Sequence, residues 1–190
     1  MRKNAPMPDE RIEVQRTITA DPATIFAVLS DPRGHVQIDS SGMLMSATGD
    51  PVSAAGDSFV VHMDRDALND LPLGKYDVTV KIVTFERDRE IAWTPTGNFD
   101  IGHVYGYRLE PVEGGTVVTS YYDWSGIGDN WKELGMFPVV PESALRATLG
   151  ILARRSSRTA DTSPAPWACD AVTQRPQLAR SHIGTVTPAP

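Results

Sequence analysis

The stretch "DIGHVYGYRLEPVEGGTVVTSYYDWSG", residues 100–126, decides the fold. Its first limb alternates His103, Tyr105, Tyr107 and Leu109, and its second alternates Val118, Ser120, Tyr122 and Trp124. Period-two alternation of this kind marks a strand with one buried face. Between the limbs, "VEGG" supplies the glycines of a hairpin loop. The pair predicts an antiparallel hairpin whose inward face carries phenols, an indole and an imidazole.

The same period runs upstream. "KYDVTVKIVTFE" (75–86) sets Tyr76, Val78, Val80 and Ile82 on one face and Asp77, Thr79 and Lys81 on the other. Arg87-Asp88 forms a tight turn into "REIAWTPTG" (89–97), where Ile91 and Trp93 alternate. "GMLMSATG" (42–49) and "GDSFVVHMD" (56–64) read as two more strands, and "RIEVQRTITA" (11–20) as the first, with Ile12, Val14, Arg16 and Ile18 on one face.

Helical signals lie only near the two ends of this strand series. Asp21 is a good N-cap and Pro22 fits the first helical position, with Ile25, Phe26 and Leu29 on one stripe. Asp31-Pro32 stops that helix and opens a second short one through His35 to about Ile38. Trp131 to Gly135 predicts one helical turn. Pro141 begins a longer helix with Leu145, Thr148, Leu149 and Leu152 inward and Arg146, Arg154 and Arg155 outward. Gly150 costs that helix about 1 kcal/mol relative to alanine. Close approach of the sheet or of a ligand would explain it, and neutral drift is the alternative.

The order is therefore strand, two short helices, six strands and a terminal helix. Antiparallel strands in series bury one face, and one long amphipathic helix is available to cover it. The expected architecture is α+β, with a curved antiparallel sheet of about seven strands wrapped around the C-terminal helix. An apolar space remains between sheet and helix unless large side chains fill it. Residues 1–9 read as a flexible N-terminus, 10–155 as the folded domain, and 156–190, which holds five of the 15 prolines, as a disordered tail.

Composition narrows the function classes. A net charge of −6 argues against a large nucleic-acid footprint. The single cysteine, Cys169, permits neither an intrachain disulfide nor a cysteine-cluster zinc site. No run of about 20 apolar residues exists to span a membrane. "MRKNAPMPDERIEVQ" lacks the apolar core of a secretory signal. A cytoplasmic protein is the expectation.

Three stretches carry a family resemblance: "TADPATIFAVLSDPRGHVQIDSSGM" (19–43), "YRLEPVEGGTVVTSYYDWSG" (107–126) and "LRATLGILAR" (145–154). The chain resembles the START-like helix-grip (SRPBCC) superfamily, and within it the bacterial polyketide cyclase/dehydrase and lipid-transport group. That group shows an aspartate-proline pair after the first helix and a His-x-x-Ile-Asp-Gly-Ser-Gly stretch. Asp31-Pro32 and His35 through Gly42 match these, with Ser40 in place of the first glycine. Its Tyr-Asp-Trp-Ser run matches Tyr122 to Ser125. The resemblance implies a helix-grip fold with a cavity for an apolar ligand, over about residues 10–155.

The candidate site follows from the inward faces. Tyr76, Trp93, His103, Tyr105, Tyr107, Tyr122 and Trp124 are expected on the concave face, with Phe137, Leu145 and Leu149 facing it from segment 125–142 and the last helix; that segment reads either as a lid over the cavity or as plain packing against the helix. Four tyrosines make that face more polar than a sealed core, and buried phenols need partners. His103 among tyrosines has the residue types for removing a proton alpha to a carbonyl. No inward carboxylate pair and no Ser-His-Asp or Cys-His set is legible. His35 and Asp39 stand four residues apart on one helical face. A proton-transfer dyad, half a metal site, or a cavity-mouth element are the readings. The last is expected, with His35 half-exposed and Asp39 satisfying backbone donors. No metal and no cofactor is expected. The leading function is binding or transport of a small to medium hydrophobic molecule, such as a lipid, polyketide or aromatic metabolite. The alternatives are a cofactor-independent cyclase or dehydratase using His103, His35 or Asp39, and a non-catalytic protein-interaction module.

Overall fold

A computed structural model describes residues 10–66, 73–97 and 100–161. The expected N-terminal segment 1–9 and most of the expected tail lie outside the described residues.

Alternation becomes a single sheet. The strands are β1 (Arg11–Ile18), β2 (Leu44–Thr48), β3 (Ser58–Asp64), β4 (Lys75–Glu86), β5 (Glu90–Thr96), β6 (Val104–Val112) and β7 (Gly115–Asp123). They pair antiparallel in the order β1-β7-β6-β5-β4-β3-β2. Consecutive strands from β2 to β7 are neighbours, as short connections require. Only β1 pairs out of sequence, with Val14 opposite Ser120 and Ile12 opposite Tyr122. The helices α1 (Pro22–Leu29) and α2 (Pro32–Ile38) carry the chain from β1 to the far edge of the sheet, where β2 begins.

Local chemistry places the helix ends as the sequence predicts. The Asp21 carboxylate accepts the Thr24 N–H at 2.8 Å, and Asp31 accepts the Arg33 N–H at 2.9 Å. After β7, α3 (Asp129–Glu133) gives the single expected helical turn, two residues earlier than read from the sequence. The last helix, α4 (Glu142–Asp161), buries Leu145, Leu149 and Leu152 against the sheet. It continues six residues past position 155, and Ser156 is wholly buried.

One break in alternation shapes the sheet. The register of β4 against β5 shifts between Ile82 and Thr84, which leaves Val83 as an exposed bulge residue. Beyond it Phe85, rather than Thr84, turns inward and meets Phe26 of α1 edge-on at 5.2 Å. A bulge bends its strand and raises the local twist, which helps the sheet curve around the helices.

Two glycines in helices have opposite reasons. A Cβ on Gly34 would fall onto the Val28 carbonyl oxygen, so α1 and α2 pack backbone against backbone there. At Gly150 the sheet does not approach closely, which removes one of the explanations left open for it. A Cβ there would meet only Arg16 Nη1, at an ordinary 3.8 Å. Gly34→Ala should therefore lower stability by about 1–3 kcal/mol through overpacking, whereas Gly150→Ala should raise it by up to about 1 kcal/mol. Thermal unfolding of the two variants checks the contrast.

Candidate functional site

The inward faces of β5, β6 and β7 bring one aromatic array together. Trp93 stands opposite Tyr105 in the β5–β6 register, and Tyr105 stands opposite Tyr122 in the β6–β7 register. Cross-strand neighbours on one face interact directly. Tyr105 stacks on Tyr122 with ring centroids 4.5 Å apart, and Trp93 lies 6.2 Å from Tyr105 and 5.8 Å from Tyr107. Trp124, just past the end of β7, lies 5.1 Å from Tyr122. His103 sits one residue before β6, and its ring meets Tyr105, Tyr122 and Phe137 at 5.3, 5.6 and 5.8 Å. Leu145 and Leu149 of α4 belong to the same packed core.

Polar groups inside this array are paired. Tyr122 is fully buried, and its hydroxyl lies 3.0 Å from His103 Nδ1. The same hydroxyl takes hydrogen bonds from Tyr105 and from the backbone of Val139. With those bonds received, the Tyr122 O–H donates to the Nδ1 lone pair of a neutral imidazole. Tyr107 is bonded to Ser120 directly across the β6–β7 pair. Burial pushes the Tyr107 and Tyr122 phenols up to about 12, and it raises Tyr105 well above the ordinary phenol value. Burial pulls His103 down to about 4.

His35 corrects its expectation. It is not half-exposed at a cavity mouth but buried, with 6% of its surface accessible. Its Nε2 donates to the Leu29 carbonyl at 2.8 Å, which satisfies one of the free acceptors at the end of α1. Its ring packs edge-on against Trp93 at 4.7 Å and Phe59 at 4.9 Å. Burial lowers its pKa to about 4 as well. Asp39 does not pair with it. One Asp39 oxygen accepts from the Ser41 N–H and hydroxyl at 3.0 and 2.7 Å, and the other from the Leu44 N–H at 3.1 Å. Those bonds turn the chain from α2 into β2, as read from the sequence. Among the described residues no group of three or more His, Cys, Asp or Glu side chains is placed to hold a metal ion.

The ten expected cavity residues are thus in contact with one another or at one rim; Tyr107, Tyr122 and Trp124 are buried, and Trp93, Tyr105 and Phe137 are partly buried. Tyr76 is the rim residue. It bears on Tyr105 electrostatically and lines an outer concavity of about 800 Å³ at the β3–β4 end of the sheet. A second concavity, of about 620 Å³, lies between the α2–β2 connection and Ala147, Gly150, Ile151 and Arg154 of α4. Segment 125–142 contributes Phe137 to the array while exposing Leu134, Met136 and Val139. No helix among the described residues is long and apolar enough to cross a membrane.

The chain belongs to the polyketide cyclase / dehydrase and lipid transport family, whose model matches residues 9–157. Solved structures are similar in fold. Protein NE0264 from Nitrosomonas europaea superposes with a TM-score of 0.57 at 13% identity, over 82% of this chain and 99% of its own. Protein MLL2253 from Mesorhizobium loti gives 0.54 at 18% identity, over 78% and 98%. The AHSA1-like protein from Aeromonas hydrophila gives 0.52 at 15% identity, over 79% and 94%. No curated protein sequence matches the chain. The helix-grip fold and the superfamily expected from the sequence are both borne out.

The two buried histidines carry a pH dependence whose sign is fixed. Each has a native pKa near 4 against an ordinary 6.5. Between those values the unfolded chain takes protons that the native state refuses. Stability from these groups is complete above pH 6.5 and is lost as pH falls toward 4, at about 1.4 kcal/mol per pH unit for each histidine. Urea unfolding at pH 7, 5.5 and 4.5 should show this slope, and His103→Gln should remove about half of it.

Proposed function

We propose that this chain binds a small to medium hydrophobic molecule bearing one or a few oxygens, such as a lipid, polyketide or aromatic metabolite, on the concave face of its sheet. The observation that carries this reading is the His103–Tyr122–Tyr105 array. Two phenols and an imidazole lie within a core otherwise built from apolar and aromatic groups. Such a wall offers apolar area for burial, worth about 25 cal/mol per Å², and a few polar atoms to orient an oxygen-bearing ligand. Access would come by withdrawal of Phe137 and its segment, which touches His103 from the side that exposes Leu134, Met136 and Val139. A ligand hydroxyl would then donate to the Tyr122 oxygen in place of the Val139 N–H.

The chemistry favours binding over proton abstraction. A general base works best with a pKa near the operating pH. An imidazole held near 4 is neutral at pH 7 but a weak acceptor of protons. Phenols held near 12 or above stay protonated and act as donors. The family includes cyclases and dehydratases, and that activity would require a ligand that raises the His103 pKa. One observation favours a different second reading. The rings of the array pack against one another, as they would in a module that binds another protein by its surface.

Native mass spectrometry of the purified chain, followed by solvent extraction, tests the proposal. A reproducible co-purified apolar molecule is the expected result. Tyr122→Phe should then weaken its binding about tenfold, the worth of one hydrogen bond of about 1.4 kcal/mol. An empty chain that binds none of a panel of lipids and aromatic polyketides would overturn this reading in favour of the interaction module.

A further inference from the structure

We propose that Thr48, His62 and Asp77, on the outer face of the sheet, form a second site that transfers acyl groups from small activated esters to the Thr48 hydroxyl. It is independent of the ligand reading above, since these residues lie on the face opposite the aromatic array.

Three strands build it. His62 on β3 stands opposite Asp77 on β4 and opposite Ser46 on β2, and Thr48 follows two positions along β2 on the same face. His62 Nδ1 lies 2.7 Å from Asp77 Oδ1, and His62 Nε2 lies 2.8 Å from Thr48 Oγ1. A carboxylate only accepts, so Nδ1 carries the proton and Nε2 presents its lone pair. The Thr48 O–H therefore donates to Nε2. Acid, imidazole and hydroxyl are then in the protonation order that makes a hydroxyl nucleophilic. No Ser-His-Asp set is legible in the sequence, because this one uses threonine and is assembled only by the register of β2, β3 and β4.

A hydrogen-bonded ladder that merely ties three strands together would explain the two bonds. It does not explain what surrounds them. His62 and Asp77 line the concavity of about 800 Å³, whose wall also includes Met45, Met63 and Tyr76. Among the described residues Lys75 is the only lysine or arginine lining it, and it lies on the same face of β4 two residues from Asp77. The concavity opens beside His62, which carries the Thr48 hydroxyl on its Nε2, so an acyl group bound next to Thr48 has apolar surface and a positive charge close by.

The step balances with an ester and water. Thr48 Oγ1 bonds to the acyl carbon while its proton passes to His62 Nε2. The ester C–O bond breaks, and the leaving oxygen takes that proton. Water then attacks the acyl-threonine, again giving a proton to His62, and the carboxylic acid leaves as Thr48 regains its hydrogen.

The test uses the full chain and p-nitrophenyl acetate. Nitrophenolate release is followed, and the acetylated residue is located by peptide mapping. The expected result is release above background, with acetyl on Thr48. Thr48→Val should abolish the adduct. His62→Gln should lower the rate about a hundredfold, the usual worth of a general base. Asp77 is a positioning residue, so Asp77→Asn should slow acetylation of Thr48 while the melting temperature stays unchanged. The proposal is overturned if acetyl appears only on lysines or the N-terminus, if neither adduct nor excess release is found, or if His62→Gln leaves the rate unchanged.

Discussion

The hydroxyl of Tyr122 has no access to water, and three separate pieces of chain meet to satisfy it. A buried phenol without partners costs a few kcal/mol, so this group constrains everything placed around it. His103 must approach from the segment before β6, which fixes where that strand begins. Tyr105 must stand directly across the β6–β7 pair, which fixes the register. Val139 must bring its backbone over the ring, which pins the segment between α3 and α4 onto the sheet. A one-residue slip of β7 would turn Tyr122 to the outer face and undo all three.

A second buried polar group holds the other side of the same core. His35 bonds the last carbonyl of α1 and wedges its ring between Trp93 and Phe59. The bond locks α2 to α1 across the short Ser30-Asp31 link, and the ring locks both helices to β5 and β3. Gly34 permits this, because only a residue without Cβ lets α2 lie against the Val28 carbonyl. The imidazole is thus neutral and structural. It connects to the Tyr122 network through Trp93 and Tyr105, ring against ring, across three strands.

Elements governed by near neighbours were legible in the sequence. Alternation in residues 75–86 and 116–124, the caps Asp21 and Asp31, and the Leu145–Leu149–Leu152 stripe each depend on contacts within a few residues. The inward placement of Trp93, Tyr105, Tyr107 and Tyr122 followed from that alternation. Features set by pairing across long stretches of chain were not legible. Nothing local to His35 shows that its acceptor is Leu29: Asp39 is the residue within helical reach, whereas Leu29 ends the preceding helix six residues back and only the fold brings it close. The shift at Val83 is a property of two strands together. His62, Asp77 and Thr48 look like isolated residues until β2, β3 and β4 are aligned.

The sheet therefore separates its histidines by face, and the separation decides what each can do. Inside, His35 and His103 have exchanged water for a carbonyl and a phenol. Neither partner is charged, and burial disfavours the imidazolium. Such groups orient neighbours and accept or donate one hydrogen bond, but they are poor carriers of protons at neutral pH. Outside, His62 keeps about a third of its side chain in water and has the Asp77 carboxylate against Nδ1. Among the described histidines only His62 combines access to water with a carboxylate partner. The concave face keeps its imidazoles dry and hydrogen-bonded to uncharged partners.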